Sequence, residues 1–102
     1  MNVSDFEKIL TKQIIHCNDT LSVKANEYAT IDRLHNFKVA AELEGCSVRQ
    51  ALAGMMAKHT VSIYDMCKNP ETCSMDIWNE KITDHINYLV LLRAVVEEEQ
   101  HE

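Results

Sequence analysis

Apolar residues recur every three to four positions along almost the whole chain, a spacing that predicts amphipathic helices rather than strands. Phe6, Leu10, Ile14, Cys17 and Leu21 trace one face of a first helix over about residues 3–26, and Ser4 with Glu7 has the spacing of a capping box. A break is expected at 27–30. A second helix follows over 32–44, with Leu34, Phe37, Val39, Ala40, Ala41 and Leu43 as its apolar side and Gly45 as the residue that ends it. Ser47 and Gln50 open a third helix with a second capping box, and Val48, Leu52, Met55, Met56, His59, Ile63 and Met66 form its core stripe. Gly54 inside that helix costs about 1 kcal/mol relative to alanine, which suggests a close approach by a neighbouring helix or a ligand. Asn69-Pro70 marks a loop over 68–73. Ser74 then caps a fourth helix to about residue 98, with Trp78, Ile82, Ile86, Leu89 and Arg93 on one face. The expected architecture is a single all-α domain over 1–102, a compact bundle of about four helices.

Two polar stripes interrupt this pattern. Lys58, Ser62 and Asp65 lie at i, i+4, i+7 on the third helix, and Glu80, Asp84 and Asn87 repeat the spacing on the fourth. Both are flanked by Met and Ile rather than by the charge expected of a solvated face. If the stripes face each other, they form a charged pocket inside the bundle.

Composition narrows the field of functions. The 102 residues include only two glycines and one proline, which favours long helices over a turn-rich sheet. A chain this short builds a modest core, and self-association often supplements one of that size. The formal charge of −6 argues against a nucleic-acid polymer as partner, because phosphate neutralisation needs a basic surface. Part of that charge is a terminal acidic run at Glu97, Glu98, Glu99 and Glu102, so a local basic pocket stays open. Cys17, Cys46, Cys67 and Cys73 form no C-x-x-C pair, and reduced thiols in a cytoplasmic protein are expected. The start shows no basic region leading an apolar run, and the longest apolar stretch, at 88–92, is too short for a membrane span.

Three groups of residues could carry chemistry. Glu80 and Asp84, one turn apart, could share a divalent cation with Asp65, since hard cations prefer oxygen ligands. The competing structural reading pairs Glu80 with Lys81 or Lys58, and Asp84 with Arg33 or His85. Lys58 could meet a phosphate or an acid of the fourth helix. His59 falls in line with the core methionines, which favours a hydrogen-bonded core histidine over a catalyst. The stretch 24–38 is dense in varied polar side chains. Lys24 belongs to it, Tyr28, His35 and Phe37 could stack on a base, Arg33 and Lys38 could meet phosphates, and Asn36 could read a base edge. A helix starting near Asp32 also offers amides, unless Asp32 itself caps them. The alternative is a helix corner whose polar groups satisfy a broken backbone. No Ser, Cys or Thr stands with a base and an orienting group as a nucleophile would require.

Asn26-Glu-Tyr-Ala, Asp32-Arg-Leu-His-Asn-Phe-Lys38, Ala51-Leu-Ala-Gly-Met-Met-Ala-Lys-His59 and Trp78-Asn-Glu-Lys-Ile-Thr-Asp84 with Ile86-Asn-Tyr88 together resemble a family of small proteins carried by phages and prophages of low-GC Gram-positive bacteria. More distantly, Tyr28, Asn36-Phe37, Lys58, Glu80, Asp84 and Tyr88 sit where the MazG-like all-α nucleotide pyrophosphohydrolases carry related residues. Those hydrolases hold magnesium with a Glu-Glu-x-x-Glu helix followed by Glu-x-x-Asp. Here no Glu-Glu-x-x-Glu precedes the fourth helix, and Glu80 and Asp84 stand four apart. The resemblance implies an all-α fold, a homo-oligomer and a pocket between helices for a nucleotide-like small molecule, with Ser62, His59, Asn87 and Tyr88 as further candidates around it.

Three functions follow as expectations. The first is a phage-type nucleotide-binding protein, sequestering a nucleotide immune signal in the host cytoplasm. The second is a Mg²⁺-dependent nucleoside triphosphate pyrophosphohydrolase using Asp65, Glu80 and Asp84. The third is a module that binds a host protein through a helix face.

Overall fold

The computed structural model describes the backbone of residues 1–27 and 32–101, and the side chains of 1–23 and 32–101. Its elements are α1 (Val3–Glu27), α2 (His35–Glu44), α3 (Val48–Lys68), a single 3₁₀ turn (Pro70–Thr72) and α4 (Met75–Gln100), with no strand among the described residues. The fold is the expected all-α bundle.

Local chemistry sets most helix ends. Gly45 takes the left-handed conformation (φ 67°) that closes α2, and its N–H and that of Cys46 return to carbonyls of the last turn. Two residues later the Ser47 hydroxyl accepts from the Gln50 N–H at 3.1 Å, while the Gln50 side chain accepts from the Ser47 N–H at 3.0 Å. Ser74 caps α4 through the Ile77 N–H. At the start of α2 the ordered helix begins at His35 rather than at 32, because the Asp32 carboxylate accepts from the Leu34 N–H two residues on, at 2.9 Å. That bond makes residues 32–34 a turn leading into the helix. Gly54 has open space beside it, and a Cβ there would meet nothing within 4 Å, so the expected close approach is absent among the described residues.

Leu34, Phe37, Leu52 and Val95 form the buried core, joining α2, α3 and the last third of α4, with Val48, Met55, Tyr88, Leu91 and Leu92 packed around it. Helix α3 lies antiparallel to α4 and is buttressed by the Thr60 hydroxyl against His85 Nε2 at 3.1 Å. Helix α1 runs parallel to α4. Gln13 Nε2 donates to the buried Thr83 hydroxyl at 2.8 Å, and one turn on Asn87 Nδ2 donates to the Cys17 carbonyl at 3.4 Å. Those two contacts, four residues apart on each helix, fix the register of α1. Outside the core, Val39 and Leu43 of α2 are exposed, against the apolar side expected for that helix. The positions of this ten-residue helix that turn away from α3 and α4 reach solvent. Among the described residues no helix is long and apolar enough to cross a membrane.

Candidate functional site

Above the core, a cavity of about 210 Å³ opens between the start of α2 and the middle of α4. The turn before α2 supplies Asp32 and Arg33, and the first turn of α2 supplies His35, Asn36 and Phe37. Helix α4 supplies Asp84, Asn87, Tyr88 and Leu91, one face over two turns. Leu21 of α1 and Met55 of α3 complete the lining. Ligand pockets of full drug size begin near about 300 Å³, so this space suits a base- or nucleoside-sized group with the rest of a larger ligand outside.

The sequence-based candidates divide cleanly. Arg33, His35, Asn36, Phe37, Asn87 and Tyr88 converge on the cavity, although His35 and Asn36 stand at its exposed rim. Lys58 and Ser62 do not reach it. They line a shallow groove on α3 with Asp65, facing the Asn69–Thr72 turn. Glu80 lies in a third groove with Asp84, against His16 and Thr20 of α1. The two polar stripes therefore do not face each other. The Gln13–Thr83 and Cys17–Asn87 bonds bring α1 against the polar face of α4, so that face meets α1 rather than α3. Tyr28 and the side chain of Lys24 lie outside the described residues.

The same separation removes the expected magnesium cage. Asp65 sits in one groove while Glu80 and Asp84 share another. Among the described residues no three His, Cys, Asp or Glu side chains gather where they could hold a metal ion. The described residues do not fit a three-acid centre.

Two features give the cavity its character. One is an aromatic wall. Tyr88 meets Phe37 edge-on, with centroids 6.5 Å apart, and leans on His59 at 4.8 Å. His59 thus holds Tyr88 in place rather than lining the cavity, which corrects its expected role as a ligand contact. The other is Asn87, only 5% exposed. Its Nδ2 is committed to the Cys17 carbonyl, and its buried Oδ1 has no hydrogen-bond partner. A carbonyl can only accept, so Cys17 fixes which way the amide points. Leaving such an oxygen without a partner costs about 1–3 kcal/mol.

Electrostatics favour a neutral base over a polyphosphate inside this space. Asp32 and Asp84 line it beside a single guanidinium, that of Arg33. Lys38 is drawn away, bridging Asp32 at 2.6 Å and Glu98 of α4, and these bonds push its pKa well above the usual lysine range while Lys38 holds the Asp32 carboxyl below its own. The expected role of Lys38 as a phosphate contact gives way to clamping α2 onto α4.

Burial lowers the His59 pKa below its ordinary 6.5, and this effect exceeds the opposing attraction of Asp84. The folded state then binds its proton less readily than the unfolded chain. Stability contributed by neutral His59 is complete above 6.5 and is lost as pH falls below 6.5 toward the folded value. Urea midpoints of the wild type are expected to drop over that window more steeply than those of His59→Gln. Parallel profiles for the two proteins would show that His59 carries no such burden.

Leu21, Met55 and Leu91 went unnoticed as lining residues. Leu91 was within reach, being four residues after Asn87 and three after Tyr88 on one helix face. Leu21 and Met55 required knowledge of how the helices pack. Comparison with protein-family models, curated proteins and solved structures finds no match to this chain.

Proposed function

We propose that this protein binds a nucleotide and holds it without turnover, with the base in the cavity between α2 and α4. The observation that carries this reading is a cavity of base size lined by Asn87, whose buried Oδ1 has no partner, beside the aromatic pair of Tyr88 and Phe37. A base would offer a flat face to the Tyr88–Phe37 pair and an N–H to Asn87. Arg33, His35 and Asn36 at the rim are placed to meet ribose or phosphate groups outside. The likeness to phage proteins in sequence gives such a binder a use, the sequestration of a nucleotide signal raised by host defence. Sequestration needs complementary binding and no metal acids, in keeping with the scattered positions of Asp65, Glu80 and Asp84.

The test is a thermal-shift and calorimetric screen of the purified protein against mononucleotides, cyclic dinucleotides and ADP-ribose derivatives, with and without Mg²⁺. Stabilisation by one ligand class, recovered intact after incubation, is the expected result. Release of pyrophosphate only with Mg²⁺ would replace this reading by the hydrolase, and no stabilisation across the panel would end it.

A further inference from the structure

The face of α1 that meets α4 at Gln13 and Cys17 continues toward the N-terminus as Val3, Phe6, Leu10 and Ile14. There it is uncovered, with Phe6 57% and Ile14 59% exposed. Between Val3 and Leu21 that face is apolar except for Gln13 and for Glu7, which stands at its edge four residues after Val3. Helix α4 carries a second uncovered stripe. Met75, Ile82 and Leu89 stand seven residues apart, the spacing that keeps a seam on one side of a helix, and all three are exposed. Single exposed apolar residues are ordinary, but two such apolar series on neighbouring helices are not.

The surface area says how much is missing. A compact monomer of this mass exposes about 5,900 Å², whereas this chain of 11.7 kDa exposes 7460 Å². The excess, about 1,600 Å² per chain, is roughly twice what one partner buries in a standard interface and falls in the range of obligate homodimers. The radius of gyration agrees. It is 15.7 Å, against about 13 Å for a compact domain of this length, and the long axis reaches 44 Å.

We propose that the protein is a two-fold homodimer whose core is built from the N-terminal half of α1 and the Met75–Ile82–Leu89 stripe of α4. A second copy fits better than a lipid surface, since a chain of charge −6 is repelled by anionic headgroups. A two-fold axis brings the same apolar patch of each copy onto the other.

Sedimentation equilibrium of the full chain tests this. The expected mass is twice 11.7 kDa from low micromolar concentration upward, with a thermal midpoint that rises with concentration. Phe6→Glu combined with Leu10→Glu, and separately Leu89→Glu, should each shift the equilibrium at least tenfold toward the monomer while helical circular dichroism persists. Should the double variant unfold, the wild-type mass and Leu89→Glu still decide. A wild type that stays monomeric at every concentration overturns the proposal, as does a dimer indifferent to both sets of changes. A monomer that binds phosphatidylcholine vesicles, or that forms a stable complex with a host protein through Phe6, overturns it in favour of that partner.

Discussion

Replacing Leu52 with alanine is expected to lower the unfolding free energy by about 3 kcal/mol, within the range of about 2–5 kcal/mol for buried leucines. Leu52 has no exposed surface and touches the centre of the only buried apolar cluster among the described residues, with Leu34, Phe37 and Val95. Its neighbours come from three helices, so no single side chain can relax into the space left behind. A domain of this size holds about 5–15 kcal/mol in all, which makes the change a large share of the total. Urea unfolding at fixed protein concentration measures it, with the midpoint falling and the slope unchanged. Leu43→Ala is the matched control, since Leu43 is 83% exposed and its loss should stay within about 0.5 kcal/mol. A Leu52 variant that behaved like the Leu43 variant would mean that the core lies elsewhere. The effect should also reach the site, because Leu52 backs Phe37, and Phe37 meets the Tyr88 ring.

Helices were legible because their signals are local. Ser47 with Gln50, Gly45 after α2 and Ser74 before α4 each act within a few residues, and each does in the structure what its spacing predicts. The core stripe of α3 was legible for the same reason, since its period alone turns Val48, Leu52 and Met66 to one side. Periodicity names a face, however, and not what lies across from it. Glu80, Asp84 and Asn87 do share a side of α4, but contacts spanning 70 residues, from Gln13 to Thr83 and from Cys17 to Asn87, decide that α1 covers it. With α1 there, Lys58, Ser62 and Asp65 face the Asn69–Thr72 turn instead of the acids of α4. The first helix teaches the complementary lesson. Phe6, Leu10 and Ile14 keep the spacing of a buried stripe and stand exposed, with no element among the described residues covering them. The site was legible where variety of side chains marked it, at Arg33, His35, Asn36 and Phe37, and obscure where it rests on Leu21 and Met55, which read as ordinary core.

Asn87→Leu is expected to separate binding from folding. The two side chains have similar shape, so leucine occupies the same space between α1 and α4 without a large cavity or clash. It gives up the bond to the Cys17 carbonyl, which at 3.4 Å is long and worth about 1 kcal/mol at most. In exchange it removes a buried oxygen without a partner, whose burial costs about 1–3 kcal/mol. The unliganded variant should therefore be as stable as the wild type or more so, by up to about 2 kcal/mol. Its affinity for whichever nucleotide stabilises the wild type should fall tenfold or more, since about 1.4 kcal/mol of lost hydrogen bonding is one decade in Kd. An asparagine kept only for structure would give the opposite pair of results, a weaker fold with unchanged binding. Asn87→Asp sharpens the comparison. It keeps an acceptor toward the ligand but turns the other oxygen against the Cys17 carbonyl and buries a charge, so it should bind no better and fold worse. Calorimetry for affinity and urea midpoints for stability, on the same three proteins, distinguish an amide that waits for a donor from one that merely fills space.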